Sequence, residues 1–274
     1  MIERCHMWPC RIVIACSNEH DIGKSGEPMR LSTKTAQVTG ATSRIGEAIA
    51  YAFAREGAQM VITGRNVNRG QTVVDTIRDA GGSAHFVSAD LTSQQDINAL
   101  VAQADTAVGL VYILANNAGI FPMGPTADID AATFDAAIAT NVKAPFFLTA
   151  ALAPKMARRG SGKIINVTTV VAHKGVAGTA LYGATKAALT LLTKSWADEF
   201  GPSGANVNAL VPHLVRTPGT EASLESLEQI AGRLPARRYA MPDEVAEAAV
   251  YLASQEARYL HGVILPVDGG YLAT

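Results

Sequence analysis

Cysteine is scarce in this chain. Its 274 residues include three, at positions 5, 10 and 16, and none afterwards. That placement provides no disulfide framework and fits a reducing, cytoplasmic setting. Cys5 and Cys10, with His6 between them, match no zinc-ligand spacing, so no metal is expected. An excess of charge of one sign is also missing. With 23 basic and 24 acidic residues the formal net charge is −1, which points to neither nucleic acid nor an anionic membrane surface. No apolar run approaches the ~20 residues that span a bilayer, so no membrane association is expected. Internal repeats and low-complexity linkers are lacking too, leaving nothing to divide the chain after its first thirty residues. Residues 1–30 themselves show neither helical nor strand period and read as a disordered extension ahead of one domain spanning 31–274. Within them, residues 11–16 are too short for the apolar core of a signal peptide. Met29, just before the first credible strand, is an alternative start.

What is present is a 48% hydrophobic, 17% charged composition, enough apolar material for a large core. From residue 35 onward, short β-rich runs alternate with amphipathic helical stretches. Strands are predicted at 35–39, 59–63, 85–88, 111–115, 163–167, 206–211 and 263–267. Helices are predicted at 45–56, 67–79, 94–108, 180–200 and 243–254, together with a long stretch at 131–159 that Pro145 and Pro154 bend or break. This alternation specifies an α/β fold: one doubly wound parallel sheet with helices on both faces.

The first strand gives way to the first helix through Thr39-Gly40-Ala41-Thr42-Ser43-Arg44-Ile45-Gly46. Glycine at such a turn lets the backbone approach a pyrophosphate, whose charge suits the free N–H groups of the helix start. A dinucleotide site often has a carboxylate at the end of the second strand to hold the ribose hydroxyls. Here that position reads Thr63-Gly64-Arg65-Asn66. Arg65, with Arg44 in the turn, would instead receive a 2′-phosphate, so NADP(H) is preferred to NAD(H).

A second constellation lies downstream in Tyr182-Gly183-Ala184-Thr185-Lys186. Residues four apart share one helix face, so the phenol and the ammonium can address one point. A neighbouring cation favours the phenolate, so Lys186 is expected to lower the pKa of Tyr182 toward the range of a useful acid or base.

These motifs, with Asp90-Leu91, Asn116-Asn117-Ala118-Gly119, Asn141, Thr169 and the closing Val267-Asp268-Gly269-Gly270-Tyr271, resemble in order those of the single-domain short-chain dehydrogenase/reductase family, with its Rossmann-like fold. The resemblance covers residue 35 to the end and is nearest to ketoacyl carrier-protein reductases and related alcohol or sugar dehydrogenases. It implies that Tyr182 is the general acid/base and that Lys186 also binds the nicotinamide ribose. Thr169 would steady the substrate oxygen, and Asn141 would hold a water in a proton relay. The cofactor would be held by Gly40, Thr42, Ser43, Arg44, Ile45, Gly46 and Arg65, and by Asp90 and Leu91 at the adenine. Asn117, Ala118 and Gly119, then Pro212, Val215 and Thr217 toward the carboxamide, would complete that site. It further implies a homo-oligomer, a dimer or tetramer, built on the two long helices and the C-terminal segment.

Three departures from the family pattern stand out. Arg44 replaces a glycine, Thr169 replaces a serine, and His213 follows Pro212 where glycine is usual. Substrate contacts are expected from Val171, His173 and His213. A short helix within 219–234, with Leu224, Leu227, Ile230 and Leu234 at helical spacing, is expected either to close over substrate or to pack on the domain. The absence of an arginine clamp favours a neutral, small or medium carbonyl or secondary alcohol. Two other readings stay open at this point: an NAD-dependent alcohol or sugar dehydrogenase, and a non-catalytic dinucleotide-binding redox sensor.

Overall fold

The computed structural model describes residues 29–217 and 224–274. Most of the expected N-terminal extension, and the start of the candidate lid, lie outside the described residues. Met29 to Lys34 already belong to the fold. Leu31 is fully buried and its N–H bonds the Glu56 carbonyl at 2.9 Å, while Arg30 forms an ion pair with Glu56.

Seven strands form one parallel sheet in the order β3-β2-β1-β4-β5-β6-β7. They are β1 (Thr35–Thr39), β2 (Gln59–Gly64), β3 (Ser83–Ser88), β4 (Ile113–Asn116), β5 (Gly162–Val167), β6 (Ala205–Pro212) and β7 (Ile264–Val267). The helices are α1 (Arg44–Arg55), α2 (Val67–Asp79), α3 (Gln94–Val108), α4 (Ala131–Ile138), α5 (Ala144–Arg159), α6 (Ala180–Phe200), α7 (Leu224–Ala231) and α8 (Pro242–Ala253). Successive strand side chains feed two separate cores. Met60, Ile62, Ile113 and Ile165 join α1, α2 and α8 on one face, while Val61, Leu114 and Ile164 join α3, α5 and α6 on the other. The strands therefore read as apolar runs rather than alternating ones.

Local signals set the helix starts. The side chains of Asn66, Ser93 and Asp130 cap α2, α3 and α4 by accepting the N–H of Arg69, Asp96 and Thr133. In α8, Pro242 is the first residue and Glu244 accepts the Met241 N–H.

The expected long helix at 131–159 is interrupted. Residues Ala139–Lys143 form one π-helical turn between α4 and α5, with Asn141 buried at its centre. Such turns are rare and recur at functional sites. Pro145 sits in the first turn of α5, where it is tolerated, and Pro154 lies inside the helix without ending it. The whole stretch Ala131–Arg159 is long and apolar enough to cross a bilayer by length and composition, contrary to expectation. Here its inner residues, Leu148, Leu152 and Met156 among them, fill the core beside α3 and α6, and Lys155 forms an ion pair with Asp105 of α3.

Candidate active site

A cleft of about 1000 Å³ runs along the carboxyl ends of β1, β2, β4, β5 and β6. That is where ligands collect on a sheet whose strand order reverses, here between β1 and β4.

At one end lies the glycine turn. A Cβ on Gly46 would stand 2.3 Å from Asn117 Nδ2 and 2.4 Å from the Gly40 carbonyl oxygen, so no larger residue fits. Asn117 does not simply await a ligand. Its Nδ2 donates to the carbonyls of Thr39 at 3.0 Å and Gly40 at 3.2 Å, clamping the turn. Thr39, which the sequence did not single out beyond the turn motif, accepts the N–H groups of Asn117 and Ala118 on its hydroxyl, each at 3.1 Å. Arg44 takes φ 60°, a left-handed conformation that costs a non-glycine residue roughly 1–2 kcal/mol. It lines the cleft with Arg65 and Arg69, and none of the three forms a salt bridge among the described residues. Arg69 was missed by the sequence reading. It lies four residues after Arg65, in the first turn of α2, close enough in sequence to have been flagged with it. Asp90 is held below the usual carboxylate range, first by the backbone and side chain of Thr92 and then by Arg65. Its Oδ1 accepts the Thr92 N–H at 3.0 Å.

At the other end, Tyr182 and Lys186 line the same cleft from one face of α6. Burial pushes the Tyr182 phenol up to about 12, and the nearby Thr169 side chain opposes the rise only in part. Burial also pushes the Lys186 ammonium down to about 8. This corrects the expectation that lysine lowers the phenol's pKa. In the protein alone desolvation governs both groups, and Lys186 Nζ donates to the Val167 carbonyl at 2.9 Å. A Cβ on Gly119 would meet both Lys186 Nζ and Asn141 Oδ1 at 3.2 Å, which shows how tightly these groups converge.

The Asn141 side chain makes three hydrogen bonds within the protein. Its Oδ1 accepts the Ile120 N–H at 2.9 Å, and its Nδ2 donates to the Ile120 carbonyl at 2.9 Å and to Thr185 Oγ1 at 3.0 Å. These bonds make the Asn141 side chain the fixing point of the loop that follows Gly119.

The cleft lining includes Gly40, Thr42, Ser43, Arg44, Ile45, Gly46, Leu91, Asn117, Ala118, Gly119, Pro212, Val215 and Thr217. Of the three expected substrate contacts, Val171 and His213 line it. His173 does not: it is exposed on the turn after β5, outside the lining residues, because the short 3-10 turn Val170–Ala172 carries it past the rim. The His213 ring stacks on Tyr271, centroids 4.1 Å apart, and its Nε2 is buried without a hydrogen-bond partner. Of the candidate lid helix, Ile230 reaches the cleft and Leu234 is buried. The sequence reading missed Ile120, Phe121 and Met123, an apolar segment that also lines the cleft.

Comparison with known proteins agrees with this geometry. A family model described as enoyl-(acyl carrier protein) reductase matches residues 40–272. The 2,5-dichloro-2,5-cyclohexadiene-1,4-diol dehydrogenase LinX of Sphingobium indicum is 37% identical over 243 residues, 88% of this chain and 97% of that one. A solved structure described as a short chain dehydrogenase/reductase family protein is 48% identical, with a TM-score of 0.82 over 90% of this chain and 100% of that one. A gluconate 5-dehydrogenase from Burkholderia cenocepacia, solved with NADP and tartrate, is 31% identical, with a TM-score of 0.85 over 90% of this chain and 98% of that one. The chain belongs to the short-chain dehydrogenase/reductase family. It is an oxidoreductase acting on CH–OH groups, and its cofactor is a nicotinamide dinucleotide.

Proposed function

We propose that this enzyme transfers a hydride reversibly between NADP(H) and a small or medium carbonyl or secondary alcohol, with Tyr182 as the proton-transferring group. The observation that carries this reading is the convergence of Tyr182, Lys186 and Thr169 on one wall of the cleft, opposite the end lined by the glycine turn. The residues present fit a dinucleotide. The Gly46 turn leaves room for nothing larger than backbone, and three arginines that form no salt bridge among the described residues border the end where a 2′-phosphate would sit. When bound, the nicotinamide supplies or accepts the hydride.

The chain itself manages the proton. At neutral pH a phenol raised to about 12 is protonated, so Tyr182 holds a proton at Oη for a carbonyl oxygen that Thr169 steadies. As that proton leaves, the Lys186 ammonium stabilises the phenolate. In the reverse direction the same phenolate receives the alcohol proton. Arg44, Arg65 and Arg69 favour the phosphorylated cofactor by charge-assisted contacts.

Tyr182→Phe tests the reading. Turnover of a ketone panel should fall by at least about 100-fold, while titration shows NADPH binding within twofold of the parent (about 0.4 kcal/mol). Unchanged turnover would reject it. The cofactor preference is checked by comparing kcat/KM for NADPH and NADH, and equal or better use of NADH would overturn it. We also propose self-association through the outer faces of α4, α5 and α6, where Phe134, Phe146, Phe147 and Leu191 are 38–65% exposed. Light scattering on the purified protein checks this, and a monomeric mass would refute it.

A further inference from the structure

We infer that the substrate of this site is an uncharged ketone or secondary alcohol with a compact, cyclic or branched apolar body, and that Phe121, with Met123, selects it. The inference rests on Tyr182 marking the reacting end of the cleft.

Phe121 follows the Asn116 to Gly119 turn, and its ring meets that of Tyr182 edge-on, with centroids 4.4 Å apart and planes at 80°. The Phe121 residue is 55% exposed and Met123 is 61% exposed, yet both line the cleft rather than a convex surface. Val170, Val171 and Ile230 line the same cleft. Apolar side chains gathered in a concavity release water when an apolar body covers them, and aromatic rings present large flat area for that purpose.

The wall is held in place before any ligand arrives. Asn141 grips both the N–H and the carbonyl of Ile120 at 2.9 Å, and the Gly124 N–H donates to the Gly178 carbonyl at 3.0 Å. Phe121 and Met123 lie between those two anchors. A wall fixed at both ends discriminates by shape, because it cannot fold back to suit a slimmer molecule.

Charge argues in the same direction. Among the described residues lining this end, the only cation is Lys186, whose Nζ is bonded to the Val167 carbonyl. The arginines line the other end. A carboxylate or phosphate on the substrate would find no arginine at this end to pair with.

The test uses the purified full chain with NADPH and three probes: 1-decalone, 2-butanone and 5-ketogluconate. We expect kcat/KM for 1-decalone to exceed both others by at least about tenfold. Phe121→Ala should lower that value about tenfold through KM while changing 2-butanone by less than about twofold, and Phe121→Leu should recover part of the loss. Preference for 5-ketogluconate, or an equal loss on both ketones, would overturn the inference and leave Tyr182's role untouched. If no ketone is reduced, calorimetry of 1-decalone binding to the enzyme with NADP⁺ separates the two ideas. Binding that Phe121→Ala abolishes supports the selecting wall while the proton-donor reading fails, and no binding to the parent rejects the wall.

Discussion

Burial moves Tyr182 and Lys186 in opposite directions, and the consequence is a pH dependence that depends on the lysine. On the proposed mechanism, carbonyl reduction needs a protonated phenol and a charged ammonium. The phenol keeps its proton to about 12, whereas Lys186 loses its own near 8. The kcat/KM for reduction should therefore be level below pH 8 and fall as pH rises through it. A profile flat to pH 10 would show that the ammonium is not required. Arg44 presents a different balance. Its φ of 60° is unfavourable for any side chain, yet the guanidinium borders the cofactor end of the cleft. In Arg44→Gly the relieved strain of roughly 1–2 kcal/mol is largely offset by the roughly 0.5–1 kcal/mol of added backbone entropy. Stability should thus stay level or rise slightly, while KM for NADPH rises several-fold and KM for NADH does not. Thermal denaturation and paired cofactor kinetics check both halves. At this scale the sequence was informative: a tyrosine and a lysine four apart on a helix can share only a few geometries. It could not reveal that desolvation outweighs their mutual influence, since burial depends on residues far along the chain.

The nucleotide turn and the π turn show how elements differ in legibility. The glycines at 40 and 46 mark a tight strand-to-helix turn by chemistry alone, and α2, α3 and α6 span the residues their apolar periods suggest. Gly46→Ala tests how closely that turn is fitted. Its new Cβ would fall 2.3 Å from Asn117 Nδ2 and 2.4 Å from the Gly40 carbonyl oxygen, so backbone must move. We expect about 1–3 kcal/mol lost in urea denaturation and cofactor affinity reduced well beyond that of the parent. The π turn at 139–143 was not legible, because one inserted residue leaves the apolar period on either side intact. It is the bonding of Asn141 to Ile120, 21 residues away, that gives the turn its place in the site. Strand β3 begins at Ser83 rather than 85 for a similar reason. Ser83 and Ala84 pair with Gln59 and Met60 of β2, a neighbour that no local pattern reveals.

For the whole molecule, the buried lysines make stability depend on pH. Lys163 of β5 is 3% exposed, its Nζ donates to Asn206 Oδ1 at 2.9 Å, and burial pushes its pKa from 10.5 down to about 8. Lys186 is shifted the same way. Between pH 8 and 10.5 the unfolded chain binds protons at these sites that the folded chain does not, so stability should rise with pH across that window. Each lysine contributes a slope of at most about 1.4 kcal/mol per pH unit. Below pH 8 both are charged in either state and the burial cost is fully present. Urea denaturation from pH 7.5 to 10 checks this, and Lys163→Met should remove that lysine's share of the slope. A fall in stability across the same range would contradict it.

The sequence by itself determined the alternation of strand and helix, the parallel sheet, the nucleotide turn, and Tyr182 with Lys186. All of these follow from local backbone sterics, side-chain period and residue chemistry, which act over a few positions. Only the tertiary structure decided which apolar residues face the reacting end and which groups lose their water. Phe121 and Met123 become a wall because a loop without period is tied down by Asn141 and by Gly178. Both ties are made by segments distant along the chain, and burial belongs to the assembled fold rather than to any stretch of it.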